Sequence, residues 1–126
     1  MAQGSTVMDR VDQALPTIKE GAEATDRDAV FPEAQLQALG EAGLLGVISA
    51  PEVGGMGAGP QEFVDAMLGV AGACGSTAMV YLMHVAATAV IGAAPPSDGA
   101  AEVLTDLANG ARLGTLAFSE KGSRSH

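Results

Sequence analysis

Residues 66–97 contain no Asp, Glu, Lys or Arg, and this run restricts the fold more than any other feature of the chain. An uncharged segment of that length belongs either in a bilayer or in a protein interior. A membrane-spanning helix needs about 20 predominantly apolar residues in succession. Here Gly75, Ser76 and Thr77 divide the run into two shorter pieces. Neither piece has a basic flank or an aromatic belt. The run therefore reads as a pair of buried helices, with no membrane span. Aromatic residues make up only 3% of the chain and Trp is absent. Ala, Val, Leu and Met must fill the core, which suits closely packed helices better than a β-sandwich.

Helical spacing extends to either side of this pair. Val7, Met8, Val11, Leu15, Ile18 and Ala22 recur on one face of a first amphipathic helix, with Pro16 as a potential kink. Asp26–Phe31 reads as a connector. Pro32 is placed to open a second helix, whose stripe is Leu36, Leu39 and Ala42 and whose end is Gly43. Residues 44–59 form a loop, and Pro60 opens a third helix that buries Phe63, Ala66, Met67, Val70, Ala71 and Cys74. Ser76 or Thr77 can cap a fourth helix, Thr77–Ile91, which is apolar on every side and so should be central. After Pro95 and Pro96, Ser97 caps a fifth helix with the stripe Ala100, Val103, Leu104, Leu107 and Ala108, closed by Asn109-Gly110. The tail Leu113–Glu120 turns to a period of two. The expected fold is all-α, a five-helix domain over residues 1–111, with the first strand of a β-domain beginning in residues 112–126.

Charge narrows the function. The net charge is −9, and eleven of the fifteen acids lie in residues 1–65 against three basic residues there. Nucleic-acid binding has no electrostatic support. Cys74 is the single cysteine, which excludes an internal disulfide and a cysteine-based metal site. The opening residues lack a basic segment followed by an apolar run, so no signal peptide is expected. The composition fits a reducing cytoplasm.

Two segments invite a chemical reading. Gly54-Gly55-Met56-Gly57-Ala58-Gly59, between a possible strand at Val47–Ser49 and a helix, imitates a dinucleotide-binding turn. The fingerprint requires a glycine where Pro60 stands and an acid about 20 residues further on. Gly75 lies near that second position, so a tight structural loop is the better reading. His84, inside the fourth helix, reads as a hydrogen-bonded core histidine, with pocket lining as the alternative. No second His or Cys lies one turn away to complete a metal site. Ser119-Glu120 and Ser123-Arg124-Ser125 read as a polar turn or as a receptor for an anionic or carbonyl-rich ligand.

The order of the motifs carries more than any one of them. Phe31-Pro32, Leu36, Leu39, Gly43-Leu44-Leu45-Gly46, Pro51-Glu52 and Gly54-Gly55-x-Gly57 come first. The uncharged helix pair, Ala108-Asn109-Gly110 and Leu116-Ala117-Phe118-Ser119-Glu120 follow. This series resembles the N-terminal helical domain of the acyl-CoA dehydrogenase family and the start of its middle β-domain. The resemblance implies FAD as cofactor and an acyl-CoA or related thioester as substrate. It also implies a homo-oligomer and an electron-transfer flavoprotein as electron acceptor. In such enzymes a carboxylate from the C-terminal half removes the substrate α-proton while the β-hydrogen leaves as hydride to the flavin. No position in this chain matches that carboxylate.

Residue by residue, the resemblance places Leu116, Phe118 and Ser119 against the flavin, with the Ser119 hydroxyl near N5. It gives Ser125 a contact with the thioester-to-pantetheine region. His84, Ala87, Thr88 and Ile91 fall where the family lines its acyl cavity; simple helix packing is the alternative. The chain departs from the family after Ser119-Glu120, reading Lys121-Gly122-Ser123-Arg124-Ser125-His126 where Pro-x-x-Gly-Ser-Asp is common. Arg124 occupies a glycine position, where a positive φ would be strained. A flavin monooxygenase on the same fold and a non-catalytic helical interaction module are the rival readings.

Overall fold

The computed structural model describes residues 4–119 and 121–122. Five α-helices follow one another: α1 (Val7–Asp28), α2 (Glu33–Glu41), α3 (Pro60–Ala73), α4 (Gly75–Ala93) and α5 (Ala100–Asn109). Two 3₁₀ turns, Leu44–Gly46 and Pro51–Val53, lie in the long α2–α3 connection. α1 packs on α2 and α3, α3 on α4, and α4 on α5. The turn at Leu44–Gly46 touches all of these helices except α3.

Local chemistry explains the helix starts. The Thr6 hydroxyl accepts from the Asp9 amide at 3.1 Å, and the Asp9 carboxylate accepts from the Thr6 amide at 2.8 Å. This reciprocal pair satisfies two amides that the first turn would leave orphaned. The Thr6 bonds, the backbone amide first, hold the Asp9 carboxyl below its usual range. α1 runs through Pro16 and on to Asp28, absorbing the first part of the expected connector. Pro32 is the residue before α2 rather than its first. Gly43 and Gly110 follow α2 and α5 with φ of 77° and 81°, a left-handed backbone that an L side chain would strain. Cys74, not Ser76 or Thr77, caps α4, its thiol accepting from the Thr77 amide at 3.5 Å. Gly99, not Ser97, precedes α5, and no side chain caps that helix.

The core gathers Val11, Ile18, Leu39, Leu44, Leu45, Val47, Val70, Tyr81 and Val85, all essentially without solvent contact. Each such side chain contributes about 1.5–3 kcal/mol relative to exposure. Phe63 meets Tyr81 edge-on at 5.9 Å between ring centroids. Ala71, expected inside, is exposed; the third helix turns Ala66, Val70 and Cys74 inward instead.

Two expectations about regular structure are corrected. Val47–Ser49 is no strand but part of the looped connection. No strand forms in Leu113–Ser119 either. That segment is irregular, and a strand needs a partner that the described residues do not supply.

Candidate functional site

α4 is built the opposite way round from an ordinary surface helix. Thr77, Tyr81, His84 and Thr88 follow at spacings of four, three and four, so they share one face, and that face is buried. Met79 and Val90, on the other side, are 59% and 55% exposed. The expectation that α4 is buried all round is therefore wrong. Its inward face carries this polar series beside the small or apolar Ala78, Val85 and Ala87, and its outward side is apolar; the neighbouring 3₁₀ turn and α5 offer carbonyls that Tyr81 and His84 satisfy. By length and composition α4 is apolar enough to cross a membrane, and its inner face makes buried polar contacts with the rest of the bundle.

Those contacts are specific. The Tyr81 hydroxyl donates to the Leu44 carbonyl at 2.8 Å, and burial pushes the phenol well above its ordinary range. One turn on, His84 Nε2 lies 3.2 Å from the Leu45 carbonyl and 3.1 Å from that of Leu107. His84 Nδ1 receives the Gly114 amide at 3.1 Å. An amide can only donate, so Nδ1 is the acceptor and Nε2 carries the proton. The ring is neutral: burial holds its pKa below 6.5, while the hydrogen bonds to Leu45 and Leu107 act the other way.

The remaining predicted positions fall around this node. Ala87 and Thr88 are buried, with the Thr88 hydroxyl donating to the Val85 carbonyl at 2.7 Å. Ile91 is half-buried. A Cβ on Gly114 would sit 2.9 Å from that of Ala87, so the tail passes directly over α4. Beyond Gly114, Leu116 is half-buried, whereas Phe118 and Ser119 are exposed, Phe118 at 65%. The structure thus brings His84 and Ala87 to the root of the Leu116–Ser119 segment. Ser125, with Glu120, Ser123, Arg124 and His126, lies outside the described residues.

An apolar groove of about 410 Å³ opens beside the tail, lined by Phe31, Met79, Val80, Met83, Leu113, Gly114 and Thr115. His84, buried in the core, meets its lining at Gly114. Met79 and Met83 are not among the residues that the sequence marks as a site. Their four-residue spacing on an uncharged helix was the available signal, but nothing marked that side as the open one.

The glycine-rich loop holds no phosphate cradle. The amides of Gly54, Gly55, Met56, Gly57 and Ala58 donate to the carbonyls of Pro51, Ala50, Gly46, Ser49 and Val47. The Gly59 amide donates to the Glu62 carboxylate. Six consecutive donors are consumed within the loop. Among the described residues no group of three or more His, Cys, Asp or Glu could hold a metal ion, and no Asp or Glu is buried.

The chain after Gly114 offers backbone donors and acceptors of the kind that one edge of a planar, carbonyl-rich heterocycle would need. Among the described residues, the backbone groups of Leu116–Ser119 make no hydrogen bond. Ser119 is exposed, and the apolar groove lies against Leu113, Gly114 and Thr115 just before this segment.

Comparison with known proteins agrees with this architecture. Residues 6–111 match the N-terminal domain of acyl-CoA dehydrogenases, and the chain belongs to that family. It is 33% identical over 119 residues to a probable acyl-CoA dehydrogenase of Bacillus subtilis, covering 90% of this chain and 30% of that protein. Over 73 residues it is 37% identical to the oxygenase subunit of a flavin-dependent monooxygenase of Rhodococcus jostii, covering 58% and 19% of the two chains. An NADH-dependent acryloyl-CoA reductase of Anaerotignum propionicum is 31% identical over 104 residues, covering 82% and 26%. The chain thus spans less than a third of these relatives' lengths. No solved structure matches it significantly.

Proposed function

We propose that this chain is the N-terminal part of an FAD-dependent acyl-CoA dehydrogenase homologue that introduces an α,β double bond into an acyl thioester. The observation that carries this reading is the anchored tail: Leu116, Phe118 and Ser119 follow a root fastened at Gly114 beside an apolar groove, and among the described residues their backbone groups and the Ser119 hydroxyl make no hydrogen bond. Flavin, when bound, supplies the hydride chemistry, and the protein supplies orientation and electrostatics.

In this reading backbone groups near Phe118 and Ser119 meet the pyrimidine edge of the flavin. The Ser119 hydroxyl hydrogen-bonds at N5, and Ser125 meets the thioester region. The acyl cavity lies along α4 at His84, Ala87, Thr88 and Ile91. The α-proton passes to a carboxylate from another part of the enzyme. A homo-oligomer, an electron-transfer flavoprotein as acceptor and a cytoplasmic location belong to the same proposal.

A monooxygenase is the second reading, favoured by the similarity to the Rhodococcus jostii oxygenase subunit. The two are separated by expressing the chain together with any residues that its gene encodes after His126. A dehydrogenase bleaches its bound flavin anaerobically on addition of an acyl-CoA and passes electrons to an artificial acceptor. A monooxygenase consumes oxygen only when supplied with reduced flavin, and its product carries the added oxygen. A protein that retains no flavin would instead be a helical interaction module.

A further inference from the structure

The tail is tied to the bundle in a short series of contacts that ends at His84. The Ala111 amide donates to the Asn109 side chain at 2.8 Å. The Arg112 amide donates to the Asp106 carbonyl at 3.1 Å, and its guanidinium pairs with the Asp106 carboxylate at 2.8 Å. The Gly114 amide then donates to His84 Nδ1. From Thr115 to Ser119 no further hydrogen bond ties the described chain down. Among the described residues the His84 contact is therefore the last hydrogen bond before the Leu116–Ser119 segment, and Ser119 lies about 17 Å of extended chain beyond it.

We propose that His84 is a positioning residue that sets where the Leu116–Ser119 segment leaves the bundle. Its ring joins three separate pieces of chain: the Leu44–Gly46 turn, the C-terminal end of α5 and the tail. The roles of the two nitrogens are interdependent. The carbonyls of Leu45 and Leu107 leave the proton on Nε2, and this makes Nδ1 an acceptor for Gly114. No aliphatic residue can do both, and a protonated ring loses the acceptor. Gly114 packs closely enough on the bundle that an added Cβ would meet Ala87 at 2.9 Å and Leu107 at 3.3 Å, so the root of the tail lies directly against α4 and α5. The consequence for flavin placement rests on the proposed function; the anchor itself does not.

The test is made on the 126-residue chain by nuclear magnetic resonance. In the wild type the imidazole nitrogens should report the neutral Nε2–H tautomer at neutral pH, and the Gly114 amide should exchange slowly with solvent. His84→Gln keeps a donor near the carbonyls and loses the Nδ1 acceptor. It should speed Gly114 exchange about tenfold, the effect of one hydrogen bond. His84→Asn places an amide oxygen where Nδ1 stood and should keep Gly114 protected. Circular dichroism checks that both variants retain their helices. An Nδ1–H tautomer, or a freely exchanging Gly114 in the wild type, overturns the proposal without recourse to any variant. Equal Gly114 exchange in folded His84→Gln and His84→Asn would reduce the ring to a packing group and also overturn it. None of these readouts involves flavin, so failure of the anchor and failure of the dehydrogenase reading are distinguishable.

Discussion

His84 links pH to stability, and the sign follows from its surroundings. Burial lowers its pKa in the folded chain, against the opposing effect of the Leu45 and Leu107 carbonyls. The unfolded chain therefore binds the proton more readily. Its contribution is fully present above the ordinary value of 6.5 and is lost as pH falls below that, down through the depressed folded value. The charged groups nearest in sequence to its partners, Asp106 and Arg112, already pair with each other. Asp9 works in the same direction in a lower window, below 3.8. The urea midpoint should fall between about pH 8 and about pH 5 in the wild type and stay flatter in His84→Gln; parallel curves would show that another group titrates. Gly55 supplies a second prediction at this scale. A Cβ there would lie 2.0 Å from the Ser49 carbonyl oxygen and 2.4 Å from its carbon. Both obstacles are backbone and cannot rotate away. Gly55→Ala should cost about 1–3 kcal/mol by denaturant unfolding. Gly72→Ala in α3, with nothing within 4 Å, should instead stabilise by about 0.4–1 kcal/mol.

α4 gives the clearest prediction for an element, because its two faces should respond oppositely to substitution. Tyr81→Phe keeps the ring against Phe63 but strands the buried Leu44 carbonyl, at a cost of about 1–3 kcal/mol. Met79→Gln and Val90→Gln, on the exposed side, should change stability by less than about 0.5 kcal/mol. Thermal unfolding of the three variants tests the inversion, and a larger loss at Met79 than at Tyr81 would contradict it. The same helix shows why part of the fold was legible in sequence and part was not. α1, α2, α3 and α5 carry apolar stripes at helical period, so their existence and most inward positions follow from spacing alone. In α4 nearly every position is apolar or small, so periodicity of hydrophobicity is blind to which side turns inward. The decisive signal was the polar series Thr77, Tyr81, His84 and Thr88. For Tyr81 and His84 its meaning depends on carbonyls of Leu44, Leu45 and Leu107, 23 to 39 residues away in sequence. The tail failed as a strand for a related reason: alternation at Leu113–Ser119 specifies an extended chain, but a ladder requires a partner from elsewhere. The motif order that indicated the family was legible because it lies in loops and caps, where Gly, Pro and Asn have local conformational roles.

At the scale of the whole molecule, the contacts proposed between this chain and a flavin are too few to retain the cofactor. The groups available on the described tail are the unpaired backbone of Leu116–Ser119 and the Ser119 hydroxyl. Each hydrogen bond they form contributes about 0.5–1.5 kcal/mol net. Two or three such bonds fall short of the roughly 4–15 kcal/mol that association costs in lost translational and rotational freedom. They fall further short of the additional −8 kcal/mol or so that a micromolar complex requires. The rest of the surface opposes the cofactor, because the chain carries a net charge of −9 and FAD bears an anionic diphosphate. The glycine-rich loop cannot compensate, since its donors are spent on its own carbonyls. The 126-residue chain mixed with excess FAD should therefore emerge colourless from gel filtration, with its helical circular dichroism unchanged. A yellow protein holding one flavin per chain would mean that the Met79–Met83 groove or the acidic surface binds the cofactor. The assignment of flavin contact to the Leu116–Ser119 edge would then have to be abandoned.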